Sequence, residues 1–116
     1  MDTEELKKRT KYFAINCGHL ILSLSKNIIN NAYSNQLVRS SSSVGANYRA
    51  TRSAKSHAGF INKFKIVEEE LYESLFFLEL IVEFNSDKRE KIATLYKEGE
   101  ELLKIIVSTL NTLIKK

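Results

Sequence analysis

Proline is absent from this sequence of 116 residues, and glycine occurs only four times. Sheet proteins need these residues for their many tight turns, so their scarcity argues against a β fold and favours long helices. Apolar stretches are also short, because charged residues interrupt them well before the ~18 residues that a membrane-spanning helix needs. We therefore expect an all-α protein that does not span a membrane.

Cysteine occurs only once, as Cys17, so no disulfide can form within the chain. This usage is typical of the reducing cytoplasm, and the acidic first residues differ from the basic start of an export signal. Cys17 and His19 do not form a catalytic pair on a helix, because side chains two positions apart point about 200° away from each other. We expect a cytoplasmic protein in which Cys17 is a core residue.

Residue patterns that hold metals and cofactors are missing as well. One cysteine and two histidines cannot supply the four Cys or His ligands of a zinc site. No glutamate is followed by a histidine three positions later, as di-iron bundles require. The four glycines are scattered, so they do not form a phosphate-binding loop. The sequence therefore predicts no metal, no cofactor and no catalytic residue, and the protein is not expected to be an enzyme.

Acidic residues are missing from one long part of the chain, residues 6–67, which we call the acid-free segment. This segment carries eleven Lys and Arg residues, whereas eleven acids and seven bases follow from Glu68 onward. A long basic segment without acids indicates binding to a polyanion such as nucleic acid. The alternative is that the basic half packs against the acidic half within one fold. The sequence leaves both interpretations open.

Some of these bases are spaced so that they could follow a phosphate backbone. Arg49, Arg52 and Lys55 recur at every third position and cover about 120° of a helix. Tyr48 lies beside them and is a candidate for stacking on a base. The full set of candidate nucleic-acid-binding residues is Arg39, Arg49, Arg52, Lys55, Lys63, Lys65, Lys7 and Lys11.

Apolar spacings of three and four predict two helices in the first half of the chain. Helix one is expected from about residue 3 to 25, with an apolar stripe of Leu6, Thr10, Phe13, Cys17, Leu20 and Leu24. Residues 27–35 are rich in asparagine and predict a connection, so helix two would begin near Ser34. Its inward side would comprise Leu37, Ser40, Val44, Asn47 or Tyr48, and Thr51.

Four consecutive serines, residues 40–43, lie within predicted helix two. Serine is a weak helix former, so a flexible linker is one interpretation. Leu37 and Val44 flank the serines in helical phase, which favours a helix instead. The small side chains here and at Gly45 and Ala46 would then let a neighbouring helix approach closely.

The second half of the chain predicts two further helices. Ser56 could cap helix three, whose stripe of Phe60, Phe64, Val67, Leu71, Leu75, Leu78 and Val82 is widened by Ile61, Tyr72, Phe76, Leu80 and Phe84. This exceeds the apolar surface of one intramolecular seam, so helix three is either central in the bundle or a subunit interface. Asp87 and Glu90 resemble a capping box before helix four, which runs to the C-terminus. Short connections predict one domain, residues 1–116, folded as an antiparallel up-down-up-down four-helix bundle.

Residues 36–49, with the sequence QLVRSSSSVGANYR, are followed by Phe60-Ile61-Asn62-Lys63, Glu68-Glu69, Glu73-Ser74-Leu75 and Leu78-Glu79-Leu80. This combination resembles the bacterial four-helix-bundle family of 23S rRNA intervening-sequence proteins. The resemblance implies an antiparallel bundle that can assemble as a ring-like homopentamer. Ala50 and Gly59 replace acids that many relatives carry, which leaves Arg49 and its neighbours less neutralised.

A related branch of that family comprises accessory proteins of diversity-generating retroelements, which bind a reverse transcriptase and nucleic acid. Two functional hypotheses follow for this chain. The first is a homo-oligomer that binds RNA or DNA through its basic residues. The alternative is a protein-binding scaffold, for example a partner of a reverse transcriptase, whose charged surfaces set the docking geometry.

Overall fold

The computed structural model describes residues 2–115 as helices joined by short connections, with no strand in that range. Its four α-helices are α1 (Thr3–Ser23), α2 (Ile28–Ala50), α3 (His57–Phe84) and α4 (Arg89–Lys115). Short 3-10 turns, Thr51–Ser53 and Ser86–Lys88, lead into α3 and α4. Met1 and Lys116, the ends of the predicted domain, lie outside the described residues. The prediction of an all-α protein with four helices is confirmed.

The helices pack as a bundle with extents of 46 × 21 × 21 Å. Each helix contacts the next one along the chain, and α4 closes the bundle against α1. Helices α2 and α3 run in opposite directions. Asn30 near the start of α2 bonds to Asn85 at the end of α3, and Tyr48 near the end of α2 packs on Phe64 near the start of α3. The backbone of α3 lies close to those of α2 and α4 but not to that of α1. Helix α3 is therefore not central in the bundle, and the subunit interface stays a prediction for its apolar surface.

The core lies along the predicted apolar stripes. All six stripe residues of α1 are buried, and Cys17 and Leu20 are completely so. The buried positions of α4 also follow a three-four spacing: Ile92, Leu95, Gly99, Leu102, Ile106 and Leu110. Burial of these stripes on one side of each helix is what holds the bundle together, at roughly 25 cal/mol per Å² of apolar surface removed from water.

Side chains cap the starts of α1, α2 and α3. The carboxylate of Asp2 accepts a hydrogen bond from the Glu5 amide at 2.8 Å, and the hydroxyl of Ser56 accepts one from the Gly59 amide at 3.0 Å. The predicted cap at Ser56 is confirmed. The predicted capping box at Asp87 does not form in that position, because Asp87 lies inside the 3-10 turn and Lys88 precedes α4.

Helix α2 begins at Ile28, so the predicted connection over residues 27–35 is wrong. The side chain of Asn27 caps the helix by accepting a hydrogen bond from the Asn30 amide at 2.8 Å. Asn30 itself is buried and exchanges two hydrogen bonds with Asn85, the residue that follows α3, at 3.1 and 2.8 Å. These tertiary bonds override the low helix propensity of asparagine. Only residues 24–27 remain as the turn between α1 and α2.

The run of serines is helical and closely packed, as the spacing of Leu37 and Val44 predicts. Ser40 and Ser41 are completely buried, and the hydroxyl of Ser74 donates to the Ser40 hydroxyl at 2.9 Å. A Cβ placed on Gly45 would lie 3.4 Å from the Thr10 hydroxyl of α1. Small residues therefore let α2 approach α1 and α3 closely on two sides.

Candidate nucleic-acid interface

Lys11 of α1 and Arg49 of α2 line one groove, with a volume of about 420 Å³, which we call the α1/α2 groove. Between them the groove is lined mainly by small side chains: Ala14, Ser42, Gly45 and Ala46. Lys11 and Arg49 are both exposed, and neither forms an ion pair with any described residue. Two free cations thus face a shallow surface that a polyanion can reach.

The positive charge of the α1/α2 groove follows from the sequence of its walls. Helix α1 has no acid after Glu5 and helix α2 has none at all. Arg49 lies in the last turn of α2, where a cation also interacts favourably with the negative end of the helix dipole. No carboxylate from these two walls therefore offsets Lys11 and Arg49 beyond the first turn of α1.

Three further candidates lie at the same end of the bundle. Arg52 in the 3-10 turn and Lys55 in the connection to α3 are exposed. Lys63 of α3 is half-buried. It lies at the level of Arg49, because the rings of their chain neighbours Phe64 and Tyr48 pack together with centroids 6.0 Å apart. We call Arg52, Lys55 and Lys63 the basic end.

The remaining candidates are not brought into this surface. Arg39 pairs with Glu70 of α3, with 2.9 Å between Nη1 and Oε2, and also with Glu73. Lys7 pairs with Glu4 at 3.4 Å. Lys65 is exposed but lies two positions from Lys63, so it points about 200° away around α3. Of the eight candidates, five therefore lie in the α1/α2 groove or at the basic end, and three do not.

Arg9, which was not a candidate, ties α1 to the acidic half of the chain. Its guanidinium donates to both carboxylate oxygens of Glu98, at 3.1 and 2.6 Å, and to Glu101 at 3.0 Å. The hydrogen bonds to Glu98 contribute most to raising the pKa of Arg9, against the lowering effect of its burial. Arg9 and Arg39 thus pair with the acidic half, whereas the α1/α2 groove and the basic end do not.

Tyr48 is not available to stack on a base, contrary to the prediction. It is 5% exposed, and its ring packs edge-on against Phe64. Burial raises the pKa of its hydroxyl, which bonds to Thr3 of α1. Helical spacing placed either Asn47 or Tyr48 on the inward side, and the larger apolar ring takes that position.

Cys17 and His19 do not meet, as the helical geometry predicts. Cys17 is completely buried, whereas His19 is exposed on the other side of α1. Burial raises the pKa of the Cys17 thiol to about 12, although the neighbouring Ser41 hydroxyl opposes this rise. The thiol therefore stays protonated at neutral pH and is a poor nucleophile. Within residues 2–115, no three His, Cys, Asp or Glu side chains converge in a way that could hold a metal ion.

Comparison with known proteins places the chain in a family. The family model described as the 23S rRNA-intervening sequence protein matches residues 4–108. The chain belongs to this family. The match contains every residue that lines the α1/α2 groove and all residues of the basic end. None of the helices in residues 2–115 is long and apolar enough to cross a membrane.

A solved structure supports the same bundle for this 23S rRNA-intervening sequence protein family. It is the 1.70 Å crystal structure of a protein with unknown function from the S23 ribosomal protein family of Bacteroides thetaiotaomicron VPI-5482. The two proteins are 28% identical, with a TM-score of 0.80 over 90% of this chain and 97% of the other. No curated protein matches the chain significantly.

Proposed function

We propose that this family member is a non-enzymatic, cytoplasmic homo-oligomer that binds RNA or DNA through the α1/α2 groove and the basic end. The proposal rests on one observation: Lys11 and Arg49 face the same groove, whose lining residues include no acid, and form no ion pair with a described residue. Four acids of α3 and α4 are paired with other cations, Glu98 and Glu101 with Arg9 and Glu70 and Glu73 with Arg39.

Phosphate contacts by such cations release counterions, so the affinity falls as the salt concentration rises. Each lost phosphate contact weakens binding and lowers the slope of log K against log salt by roughly 0.7 to 0.9. The number of groove cations that contact phosphate can therefore be measured without knowing the natural sequence.

Replacing both groove cations, Lys11→Gln with Arg49→Gln, is expected to weaken binding to a short RNA hairpin by about tenfold at 50 mM salt. The salt slope should fall by about 1.4 to 1.8, because two phosphate contacts are lost. Fluorescence anisotropy of a labelled hairpin between about 50 and 200 mM salt measures both quantities.

The matched control is Arg89→Gln with Lys91→Gln, since it removes one Arg and one Lys that are exposed at the start of α4. It changes the net charge equally and should leave the affinity within about twofold of the wild type. Equal losses in the two variants would mean that binding depends on net charge only, and the groove would then not be the site.

Self-association is supported by an apolar surface on α3 that the bundle leaves uncovered. Tyr72 and Phe76 are 56% and 53% exposed, one turn apart. Both line a groove between α3 and α4, together with Leu103 and Lys104 of α4. An exposed aromatic patch of this kind marks a contact surface. We assign it to subunit contacts, with the homopentamer as the assembly that the family resemblance implies.

Replacing Tyr72 and Phe76 together by serine is expected to convert the oligomer to a monomer of 13.3 kDa, because the apolar area that drives association is removed. Light scattering coupled to gel filtration measures the mass. The control replaces Leu22 and Ile28, each 84% exposed beside the α1–α2 turn, by serine and should leave the mass unchanged. A wild-type protein that is already monomeric would contradict this part of the proposal.

A docking subunit for another protein, such as a reverse transcriptase, is the second candidate, and the same aromatic patch favours it. The docking hypothesis predicts that the purified protein does not bind RNA or DNA at low salt. Charge reversal at Arg49 and Arg52 would then abolish capture of the partner after nuclease treatment. This outcome would replace nucleic-acid binding by protein docking as the role of the basic residues.

A further inference from the structure

Tyr12 is an exposed aromatic residue on a basic face of α1. Its side chain is 49% exposed, and Ile15 one turn away is 37% exposed. Ile15 also lines the α1/α2 groove together with Lys11 and Arg49. The ring of Tyr12 thus stands at the edge of the surface that carries the two groove cations.

The other aromatic rings of the acid-free segment are engaged in packing. Phe13 is 1% exposed, and Phe64 packs between Tyr48 and Phe60. Tyr33 lies against Phe77 and Phe84 with centroid distances of 6.2 and 6.0 Å. Tyr12 is therefore the exposed aromatic residue of this segment.

Helical geometry places basic residues around the Tyr12 ring. Lys8, Lys11, Ile15 and His19 share with Tyr12 an arc of about 100° on the outward side of α1. The acids Glu4 and Glu5 lie about 10 to 12 Å away along the helix axis, at a rise of 1.5 Å per residue. Cations and an exposed ring side by side are the combination that binds single strands, because phosphates contact the cations while bases stack on the ring.

We propose that Tyr12 stacks on an unpaired base of a strand whose phosphates contact Lys11 and Arg49, so that the site selects single-stranded RNA or DNA over duplex. The inference rests on the proposed function, and it adds the class of nucleic acid that the site takes. A duplex keeps its bases stacked on each other, so it can use the cations but not the ring.

The test compares a labelled strand of alternating adenine and cytosine, which does not pair with itself, with a duplex of the same length, both as RNA and as DNA. Tyr12→Ser is expected to weaken strand binding by about tenfold and to leave duplex binding within about twofold. Tyr12→Phe keeps the ring and should retain strand binding. Leu22→Ser removes another exposed apolar side chain of α1 and should also have no effect.

Circular dichroism checks that each variant is folded, and light scattering gives its mass. An unchanged ratio of strand to duplex affinity in Tyr12→Ser would overturn the stacking role. A changed mass would instead assign Tyr12 to a subunit contact and equally overturn it. The proposed function fails separately, when Lys11→Gln with Arg49→Gln binds both forms as tightly as the wild type does.

Discussion

Asn85→Ala is expected to destabilise the folded chain by about 3 kcal/mol. Asn85 is 8% exposed, and its amide nitrogen donates to the Asn30 side chain at 2.8 Å and to the Ile81 carbonyl at 2.9 Å. Its amide oxygen accepts from Asn30 at 3.1 Å. Alanine removes the donor to the Asn30 side-chain oxygen and to the Ile81 carbonyl, while the Asn30 amide nitrogen keeps its bond to the Ser25 carbonyl at 2.8 Å. Each buried group left unpaired costs about 1 to 3 kcal/mol. Urea unfolding at a fixed protein concentration measures the change.

A double-mutant cycle separates the Asn30–Asn85 pair from other effects of these substitutions. Asn30→Ala should cost about as much as Asn85→Ala, but the double variant should cost less than the sum by about 1 to 3 kcal/mol. Asn31→Ala, at the exposed neighbouring position, should change stability by no more than about 0.5 kcal/mol. Additive losses would show that the two amides act independently, which would contradict the reciprocal pair.

The pair also explains why the start of α2 could not be predicted from sequence. Asparagine favours turns and caps locally, and Asn27 does cap the helix. Asn30 looks the same in sequence, yet its partner lies 55 positions away at the end of α3. A local pattern contains no information on such a contact. The stripe of α1 could be predicted because it depends on spacing within one helix.

In the candidate site, too, the features that depend on local sequence could be predicted, and those that depend on tertiary contacts could not. Composition identifies the acid-free segment, and helical spacing identifies the stripe residues. Which cations remain free depends on the neighbouring helix: Arg39 pairs with Glu70, while Arg49 forms no ion pair with any residue from 2 to 115. The aromatic candidate changes from Tyr48 to Tyr12 for a related reason. Tyr48 lies on the inward side of α2 against Phe64, whereas Tyr12 lies outside the α1 stripe.

Alanine substitutions at two helix-interior glycines are expected to have opposite effects, because their surroundings differ. A Cβ at Gly99 of α4 would lie 2.8 Å from Leu75 Cδ2 and 3.1 Å from Phe13 Cε1. Leu75 can move its methyl group, but the Phe13 ring is 1% exposed and tightly enclosed. Overpacking costs about 1 to 3 kcal/mol, which exceeds the ~1 kcal/mol gained in helix propensity. Gly99→Ala should therefore destabilise the bundle by about 1 to 2 kcal/mol.

Gly18→Ala is the matched variant, since a Cβ there would meet nothing within 4 Å. It gains the helix propensity of alanine without a clash, so we expect a stabilisation of about 0.5 to 1 kcal/mol. The two variants should thus differ by roughly 2 kcal/mol in urea unfolding at equal protein concentration. If Gly99→Ala were as stabilising as Gly18→Ala, the close contact of α4 with Phe13 would not exist in solution. Combining Gly99→Ala with Phe13→Leu tests the cause directly, because the smaller leucine side chain makes room for the methyl group. The loss of stability in the double variant should therefore be smaller than the sum of the losses in the two single variants.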